Sequence, residues 1–242
     1  MTSFSARMAQ AAKKKKSRII LAVDPRPGTK NVKAHAKKTI GAVAGHVCGV
    51  KFNFHLLLPL GARDVCDITK FAHSRGLLCI ADIKLNDIDS TNEAAVAHLA
   101  VMGFDAVIAN PFMGSATLAS LVKKARGLGL GVIALVYMSH PDAKEGYGLE
   151  TGKSAVYRMF LERAANAGAD GIVVGATQTD ILKEVRGKIA IYSPGVGAQG
   201  GDIEQAVRNG SDYLIVGRSI IEADDPATVA REMKGRAQRG LE

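Results

Sequence analysis

The sequence predicts a single-domain α/β protein, a closed (β/α)8 barrel (TIM barrel) with a basic N-terminal arm. From Arg18 onward, short apolar runs rich in β-branched residues alternate eight times with longer amphipathic segments. Nearly continuous apolar runs are typical of parallel strands that are buried on both faces. A length of 242 residues suits one barrel of this kind. The eightfold alternation therefore favours a closed barrel over an open, doubly wound sheet.

Residues 1–17 are predicted to form the arm, and residues 18–242 the barrel. The arm has no regular apolar period and contains four consecutive lysines, Lys13 to Lys16. We therefore expect a frayed helix or a flexible, solvated segment there. The formal charge of +9 is concentrated in this arm and in the basic C-terminus. Such a charge is compatible with a nucleic acid, an anionic membrane or a phosphorylated small molecule as the partner.

The eight strands are predicted in order along the chain, with a helix-like segment between each pair. Their ranges are 18–24, 48–53, 77–84, 106–110, 131–138, 171–175, 189–193 and 213–216. Small residues recur just before a strand, as in residues 167–171, where glycine can end a helix in the left-handed conformation. In barrels of this type the carboxyl ends of the strands face the active site, so polar residues at those ends are the candidate site residues.

The cysteines and the lack of a long apolar segment indicate the cellular compartment in which we expect the protein. No stretch reaches the length of a membrane span, and residues 1–17 lack the apolar core of a secretory signal. Cys48, Cys66 and Cys79 show no Cys-x-x-Cys spacing, and Cys48 and Cys79 lie in apolar runs. We expect a cytoplasmic protein with reduced core thiols and no membrane partner.

The third predicted strand ends in the charged pair Asp82 and Lys84, and Asp87 follows in the next turn. Because side chains alternate along a strand, Asp82 and Lys84 should share one pocket. Charges at the end of a buried strand are costly unless they neutralise one another or act on a ligand. Two interpretations are open here. One is a salt-bridged strand end before a helix capped by Asp89 or Ser90, and the other is a catalytic pair.

Glycine-rich segments follow the seventh and eighth predicted strands. Residues 193–202 contain four glycines within seven positions, and the eighth strand runs into Gly217 and Arg218. The loops after these two strands often bind phosphate through backbone N–H groups in such barrels. Tight turns use the same glycines, but Arg218 adds a guanidinium that can bind phosphate with two hydrogen bonds. The combination favours a phosphate site.

These motifs together resemble one enzyme family. The pattern Asp-x-Lys-x-x-Asp-Ile from Asp82, followed by Thr91, resembles the signature of orotidine 5'-monophosphate decarboxylases. Residues 193–202 and 216–219 look like that family's phosphate-binding segments. Asp24 looks like its first-strand aspartate, Lys51 its second-strand lysine, and residues 138–141 its pyrimidine-facing serine segment. The resemblance covers roughly residues 18–235. It departs at Asp89, where the family usually has Gly or Pro, and in the lysine-rich arm.

The resemblance implies loss of CO₂ from orotidine 5'-monophosphate (OMP) to give UMP in pyrimidine biosynthesis, with no metal and no cofactor. Lys84 would stabilise the carbanion at C6 and then protonate it, with Asp82 beside the departing carboxylate. Asp24 and Lys51 would bind ribose hydroxyls and order the charges. The remaining implied substrate contacts are Ser139 at the pyrimidine, Gln199 and Pro194 in the loop, and Gly217 and Arg218 at the phosphate.

The resemblance also implies a homodimer with shared active sites. In the family, the residues that match Asp87 and Thr91 reach into the partner's site. Taken alone, Asp87 is equally typical of an acid at a helix start.

Two other functions compete with this interpretation. A Mg²⁺-dependent decarboxylase or aldolase acting on keto sugar phosphates shares the Asp-x-Lys-x-x-Asp core. A basic RNA-binding protein would use the lysine-rich arm. Neither explains Ser139 or Lys51, since sugar-phosphate relatives are expected to carry an acid at the latter position and a lysine would repel Mg²⁺. The sequence therefore favours OMP as the partner molecule, with no nucleic acid.

Overall fold

The computed structural model describes residues 2–152, 154–197 and 199–241. Eight parallel strands form a closed barrel, in which β1 pairs with both β2 and β8. The strands are β1 (Ile19–Val23), β2 (Gly49–Asn53), β3 (Leu78–Leu85), β4 (Ala106–Ala109), β5 (Gly131–Tyr137), β6 (Gly171–Val174), β7 (Ile191–Ser193) and β8 (Tyr213–Val216). The predicted (β/α)8 barrel is confirmed, and the ends of each predicted strand lie within about two residues of the observed ones.

Helices follow the strands and cover the outside of the barrel. They are α2 (Val32–Val43), α3 (Phe54–Leu57), α4 (Ala62–His73), α5 (Asp89–Val101), α6 (Ser115–Gly127), α7 (Val156–Ala167), α8 (Thr179–Val185), α9 (Ile203–Arg208), α10 (Arg218–Ile221) and α11 (Pro226–Arg239). A short antiparallel pair, Glu150–Thr151 with Ser154–Ala155, precedes α7. None of the helices in the described ranges combines the length and the apolar character needed to cross a membrane.

The strands have apolar side chains on both faces because each face packs on a separate core. In β1, Ile19, Leu21 and Val23 pack in the layer between strands and helices. Ile20 and Ala22, which alternate with them, belong to the core inside the barrel. This division explains why the strands appear in the sequence as nearly continuous apolar runs.

The N-terminal residues form helix α1 (Phe4–Lys15), which packs on the amino-terminal end of the barrel. Phe4 and Met8 lie one helical turn apart and are buried in the core inside the barrel. Gly131, the first residue of β5, leaves room for this contact, since a Cβ there would lie 2.5 Å from Phe4. Of the two expectations for these residues, a frayed helix or a flexible segment, the structure shows a helix, which is packed on the barrel rather than solvated because Phe4 and Met8 anchor it.

Polar contacts also hold α1 in place. Arg7 forms an ion pair with Asp105, just before β4, and the Nζ of Lys15 donates to two backbone carbonyl oxygens. Burial raises the pKa of Asp105, but hydrogen bonds from His73 and from the backbone N–H of Cys79, with the charge of Arg7, outweigh it and hold the pKa below its usual range. Asp105 thus remains a carboxylate that links α1, α4 and β3.

The cysteines are free thiols. Burial raises the pKa of Cys48 to about 12 and the pKa of Cys79 well above its ordinary value. Both are therefore protonated, inert core residues at neutral pH, as the apolar sequence around them indicated.

Candidate active site

A carboxylate between two ammonium groups lies at the carboxyl ends of β2 and β3. Oδ2 of Asp82 accepts a hydrogen bond from Nζ of Lys51 at 2.7 Å, and Oδ1 accepts one from Nζ of Lys84 at 2.9 Å. The side chains of Asp82 and Lys51 are 8% and 5% exposed, whereas that of Lys84 is 42% exposed. The predicted proximity of Asp82 and Lys84 is confirmed, and Lys84 is the member of the group that a ligand can reach.

The environment of Asp82 keeps it negatively charged. Burial raises the pKa of this carboxyl, but the charges and hydrogen bonds of Lys51 and Lys84 outweigh burial and hold the pKa below its usual range. A buried carboxylate is tolerated only when such partners satisfy it. Asp82 therefore presents a fixed negative charge beside the accessible ammonium of Lys84.

Lys84 occupies a strained backbone position. Its φ is 47°, in the left-handed region, and the pairing of β3 with β4 shifts register between Ala81 and Leu85. A non-glycine residue in this conformation costs about 1–3 kcal/mol, and such strain concentrates at functional sites. Simple strand alternation did not predict this irregularity, which determines the direction of the Lys84 side chain.

Asn53 extends the charged group to β1 and was missed in the sequence. Its Oδ1 accepts a hydrogen bond from Nζ of Lys51, and its Nδ2 donates to Oδ1 of Asp24. A continuous chain of contacts therefore joins Lys84 to Asp24 through Asp82, Lys51 and Asn53. The alternation argument that paired Asp82 with Lys84 would also have paired Asn53 with Lys51, since they stand two residues apart on β2.

This group forms one side of a pocket of about 250 Å³ at the carboxyl ends of the strands. Apolar side chains from inside the barrel, including Ile108, Leu135 and Ile215, line its base. The predicted residues that the structure brings to this pocket are Asp24, Lys51, Asp82, Lys84, Ser139, Pro194, Gln199, Gly217 and Arg218. One side of the pocket is thus charged and its base is apolar, which suits a planar ring held beside an ammonium.

The segments that follow β6 and β7 both pack closely against the segment that follows β5. Gly195 has a φ of 91°, and a Cβ at this position would lie 2.9 Å from Cβ of Ser139 and 3.0 Å from Oε1 of Gln199. Gly175 is equally close, since its Cβ would lie 2.7 Å from Cα of Ser139. These glycines are required for Ser139 and Gln199 to line the same pocket.

At the predicted phosphate site, the guanidinium of Arg218 is available to a ligand. Arg218 is exposed and begins α10 directly after Gly217. Within the described ranges its guanidinium makes no ion pair or hydrogen bond, so its donors are available to an anion. The loop before α9 is held by backbone hydrogen bonds between Gly197 and Gly201, at 2.9 Å, and between Gly201 and Gly195, at 3.0 Å. Ala198 of this predicted loop lies outside the described residues.

Comparison with known proteins gives the family. A model of the orotidine 5'-phosphate decarboxylase / HUMPS family matches residues 17–233. The chain belongs to this family. The match covers the whole barrel, including every strand that contributes to the pocket.

The similarity to individual members of the family extends over almost the full length of both chains. The orotidine 5'-phosphate decarboxylase of Methanosarcina barkeri is 35% identical over 232 residues, which are 94% of this chain and 98% of the relative. The structure of orotidine 5'-monophosphate decarboxylase from Methanocaldococcus jannaschii, complexed with inhibitor BMP, is 28% identical, with a TM-score of 0.78 over 91% of this chain and 98% of that chain. These relatives are named as decarboxylases, that is, carboxy-lyases.

A longer protein contains the same fold. The structure of Leishmania donovani UMP synthase is 25% identical with a TM-score of 0.88, and the match covers 100% of this chain and 57% of that one.

Two residues of the family motif lie outside the pocket of their own chain. Asp87 and Thr91 are exposed and do not line it. The loop is nevertheless ordered by the buried Asn92, whose side chain accepts from the backbone N–H of Asp87 at 3.3 Å and donates to its carbonyl oxygen at 2.6 Å. Asp87 is thus presented outward from a fixed turn.

The start of α5 differs from the predicted cap. The helix begins at Asp89, and its N-cap residue is Ile88, which makes no side-chain capping bond. The expectation that Asp89 or Ser90 caps the helix was wrong, because both residues lie inside the first turn. Asp89 instead places a negative charge at the positive end of the helix dipole.

Proposed function

We propose that this protein decarboxylates orotidine 5'-monophosphate to UMP and CO₂, without a metal, and that Lys84 supplies the proton that replaces the carboxylate. The observation that carries the proposal is the contact of Asp82 with Lys51 and Lys84 in a pocket whose base is apolar. The names of the relatives support the same substrate.

The chemistry follows from where the charges lie. When the bond from C6 to the carboxyl group breaks, its electron pair stays on C6, which has no adjacent electron sink. The ammonium of Lys84 stabilises that charge and then transfers a proton to C6, after which the amine regains a proton from water. Asp82 fixes the ammonium at 2.9 Å and places a negative charge near the substrate carboxylate, so the pocket favours the state in which that carboxylate has left.

The other pocket residues suit the rest of the nucleotide. Asp24, held by Asn53, and Lys51 bind the ribose hydroxyls. Ser139 hydrogen-bonds the pyrimidine amide edge, and Gln199 spans the distance from the base to the phosphate. Pro194 shapes the loop, and Gly217 and Arg218 bind the phosphate.

The Mg²⁺-dependent alternative remains inside the same family, whose description includes HUMPS enzymes. It is disfavoured by the ligand chemistry of the pocket. Both oxygens of Asp82 accept hydrogen bonds from ammonium groups. A Mg²⁺ ion prefers carboxylate and water oxygens and would have to displace a buried lysine to bind here.

A spectroscopic assay tests the proposed reaction against this alternative. Purified protein is mixed with OMP, and the loss of the substrate's ultraviolet absorbance is followed with and without EDTA. We expect the same rate in both samples. A reaction that stops in EDTA and returns with Mg²⁺, or activity confined to a keto sugar phosphate, would reject the proposed function.

We infer further that the enzyme is a homodimer whose active sites are shared. Asp87 and Thr91 do not line their own pocket, and exposed apolar side chains occur in the segments that follow three neighbouring strands, β2, β3 and β4. These side chains are Phe54, Leu58, Ile88 and Phe112. Large apolar side chains exposed at the ends of neighbouring strands are typical of a protein interface. In a twofold dimer, the same surface would bring Asp87 of each chain to the other's pocket.

The cellular setting is also a proposal. Reduced thiols at Cys48, Cys66 and Cys79 are typical of a reducing compartment. We place the reaction in the cytoplasm, as a step of pyrimidine biosynthesis.

Replacing Arg218 should weaken substrate capture. Arg218→Ala removes a charge-assisted contact with phosphate, which is worth about 1.5–3 kcal/mol, or about 10- to 150-fold in kcat/KM. We expect most of the loss in KM, measured by steady-state kinetics. Arg63→Ala, on the exposed surface of α4, is the matched control. An unchanged kcat/KM for Arg218→Ala would place the phosphate elsewhere.

A further inference from the structure

A second concave surface lies at the amino-terminal end of the barrel. Helices α1 and α11 flank a groove of about 910 Å³, and its floor includes Arg18 and Tyr213, at the beginnings of β1 and β8. The active-site residues stand at the opposite ends of the strands. The groove is therefore a separate surface, and its volume is within the usual range for a small-molecule site.

The groove is strongly positive. Its charged lining residues are the cations Lys13, Lys16, Arg18, Arg231 and Lys234 and the carboxylate Asp212. Arg18 lies 3.8 Å from Asp212 and uses its charge there. In the part of the chain that the structure describes, none of the other four cations forms an ion pair. Like charges brought together in this way repel one another unless an anion lies between them.

Basic residues of α11 that do not line the groove form ion pairs with acidic side chains. Arg236 pairs with Asp202, and Arg239 pairs with Glu204 at 3.1 Å. Arg231 and Lys234, on the groove side of the same helix, form no ion pair among the described residues, although the charge of Arg231 acts on Asp225 at the start of α11. The fold therefore supplies carboxylates for the outer cations and leaves the groove cations for a ligand.

His46 also lines the groove. Its Nδ1 is buried and has no hydrogen-bond partner among the described residues. Burial is the largest cause that lowers the pKa of His46, and the charges of Lys234 and Arg231 lower it further, so the ring lies near these two groove cations.

Helix capping accounts for only part of this charge. Nζ of Lys234 and Nε2 of Gln238 donate to the carbonyl oxygens of Lys15 and Lys16 at 2.8 and 3.0 Å, and lysines in the last turn of α1 complement its dipole. Arg231, which lies on α11 with Lys234 and Gln238 and also lines the groove, has no such capping role.

We propose that the groove between α1 and α11 binds a small polyphosphate anion, such as the triphosphate chain of a nucleotide. Four unpaired cations suit several adjacent negative charges, whereas a single carboxylate would leave most of them unmatched. Ala9, Ala12 and Leu241 also line the groove and offer an apolar surface to an uncharged part of the ligand. An extended nucleic acid fits less well, because it needs a basic track that continues beyond one groove.

Calorimetric titration with inorganic tripolyphosphate, ATP and UTP tests the proposal. The variant Lys13→Ala/Arg231→Ala removes two groove cations, and Lys14→Ala/Lys38→Ala removes the same charge from exposed positions outside the groove. We expect saturable binding to the wild type, a loss of about tenfold or more in the groove variant, and little change in the control. The variant Lys13→Gln/Arg231→Gln removes the same two charges with longer side chains. Thermal unfolding of each protein shows whether a loss of binding is caused by misfolding.

Additional variants and ligands show whether the bound anion occupies the groove, the active site or a nucleic-acid surface. Arg218→Ala should bind tripolyphosphate as the wild type does, since Arg218 lies at the other end of the barrel. Equal binding of tripolyphosphate and nucleotides, or tighter binding of the nucleotides, would support the groove site. The proposal is overturned by absence of saturable binding to the wild type, by equal losses in the groove and control variants, or by a loss found only in Arg218→Ala. Tighter binding of a single-stranded RNA that both double variants weaken equally would overturn it in favour of a nucleic-acid surface.

Discussion

Lys84→Ala should abolish turnover of OMP while leaving nucleotide binding nearly intact. Proton transfer from a positioned group contributes about 10²–10⁴ in rate, and stabilisation of a developing charge contributes a comparable factor. We therefore expect kcat to fall by about four orders of magnitude or more. The phosphate and ribose contacts of UMP do not use Lys84, so its Kd should change by less than about tenfold. Steady-state kinetics and calorimetric titration with UMP measure the two effects.

A matched variant shows whether the effect belongs to the pocket. Lys70→Ala removes a lysine from the exposed face of α4 and should retain full turnover. Thermal unfolding of Lys84→Ala checks that the strained strand end still folds, since alanine at a φ of 47° is no less strained than lysine. Near-normal turnover by a folded Lys84→Ala protein would rule out the role assigned to this ammonium.

Mixing two inactive variants should restore activity. Lys84→Ala and Asp87→Ala are each expected to be inactive or nearly so as homodimers. If Asp87 acts in the partner's pocket, one site of a mixed dimer has both substitutions and the other has neither. Random pairing of equal amounts gives mixed dimers in about half of the population, each with one intact site, so activity should approach about one quarter of wild type. Subunit exchange is verified with differently tagged chains.

The same mixing experiment has a clear negative result. If Asp87 acts in its own chain, every site of a mixed dimer retains one substitution, and activity stays at the level of the separate variants. No recovery after verified exchange would reject the shared site while leaving the decarboxylase proposal standing.

The barrel was predictable from the sequence because its strands are buried on two faces. Ile19 to Val23 pack alternately against the helices and inside the barrel, so every position favours an apolar residue and the strand is evident from composition alone. The position of α1 was not predictable in this way. Only Phe4 and Met8 are buried in it, and two apolar residues in a lysine-rich segment give no clear period.

The charged residues of the site were predictable because their residue types alone indicate a chemical role. Asp82, Lys84, Lys51 and Arg218 are charged groups at strand ends, and the structure brings all four to one pocket. Asn53 was missed because an uncharged amide after a strand is common, and its role depends on its bonds to neighbouring side chains.

The backbone of Lys84 could not be inferred either. The left-handed φ of Lys84 coincides with the shifted pairing of β3 with β4, and that pairing is a property of two strands together. The single-strand pattern of alternating side chains contains no information about such a shift.

Proton NMR of the reaction in D₂O tests the central claim most directly. EDTA-treated protein is incubated with OMP, and the product is examined at C5 and C6 of the pyrimidine. If decarboxylation leaves a C6 carbanion that Lys84 protonates, the exchanged ammonium delivers deuterium. The wild type then yields UMP with deuterium at C6 and a singlet for the C5 proton, and Lys84→Ala forms this product about four orders of magnitude more slowly or not at all. Failure of the wild-type protein to convert OMP into C6-deuterated UMP under these conditions would contradict the account.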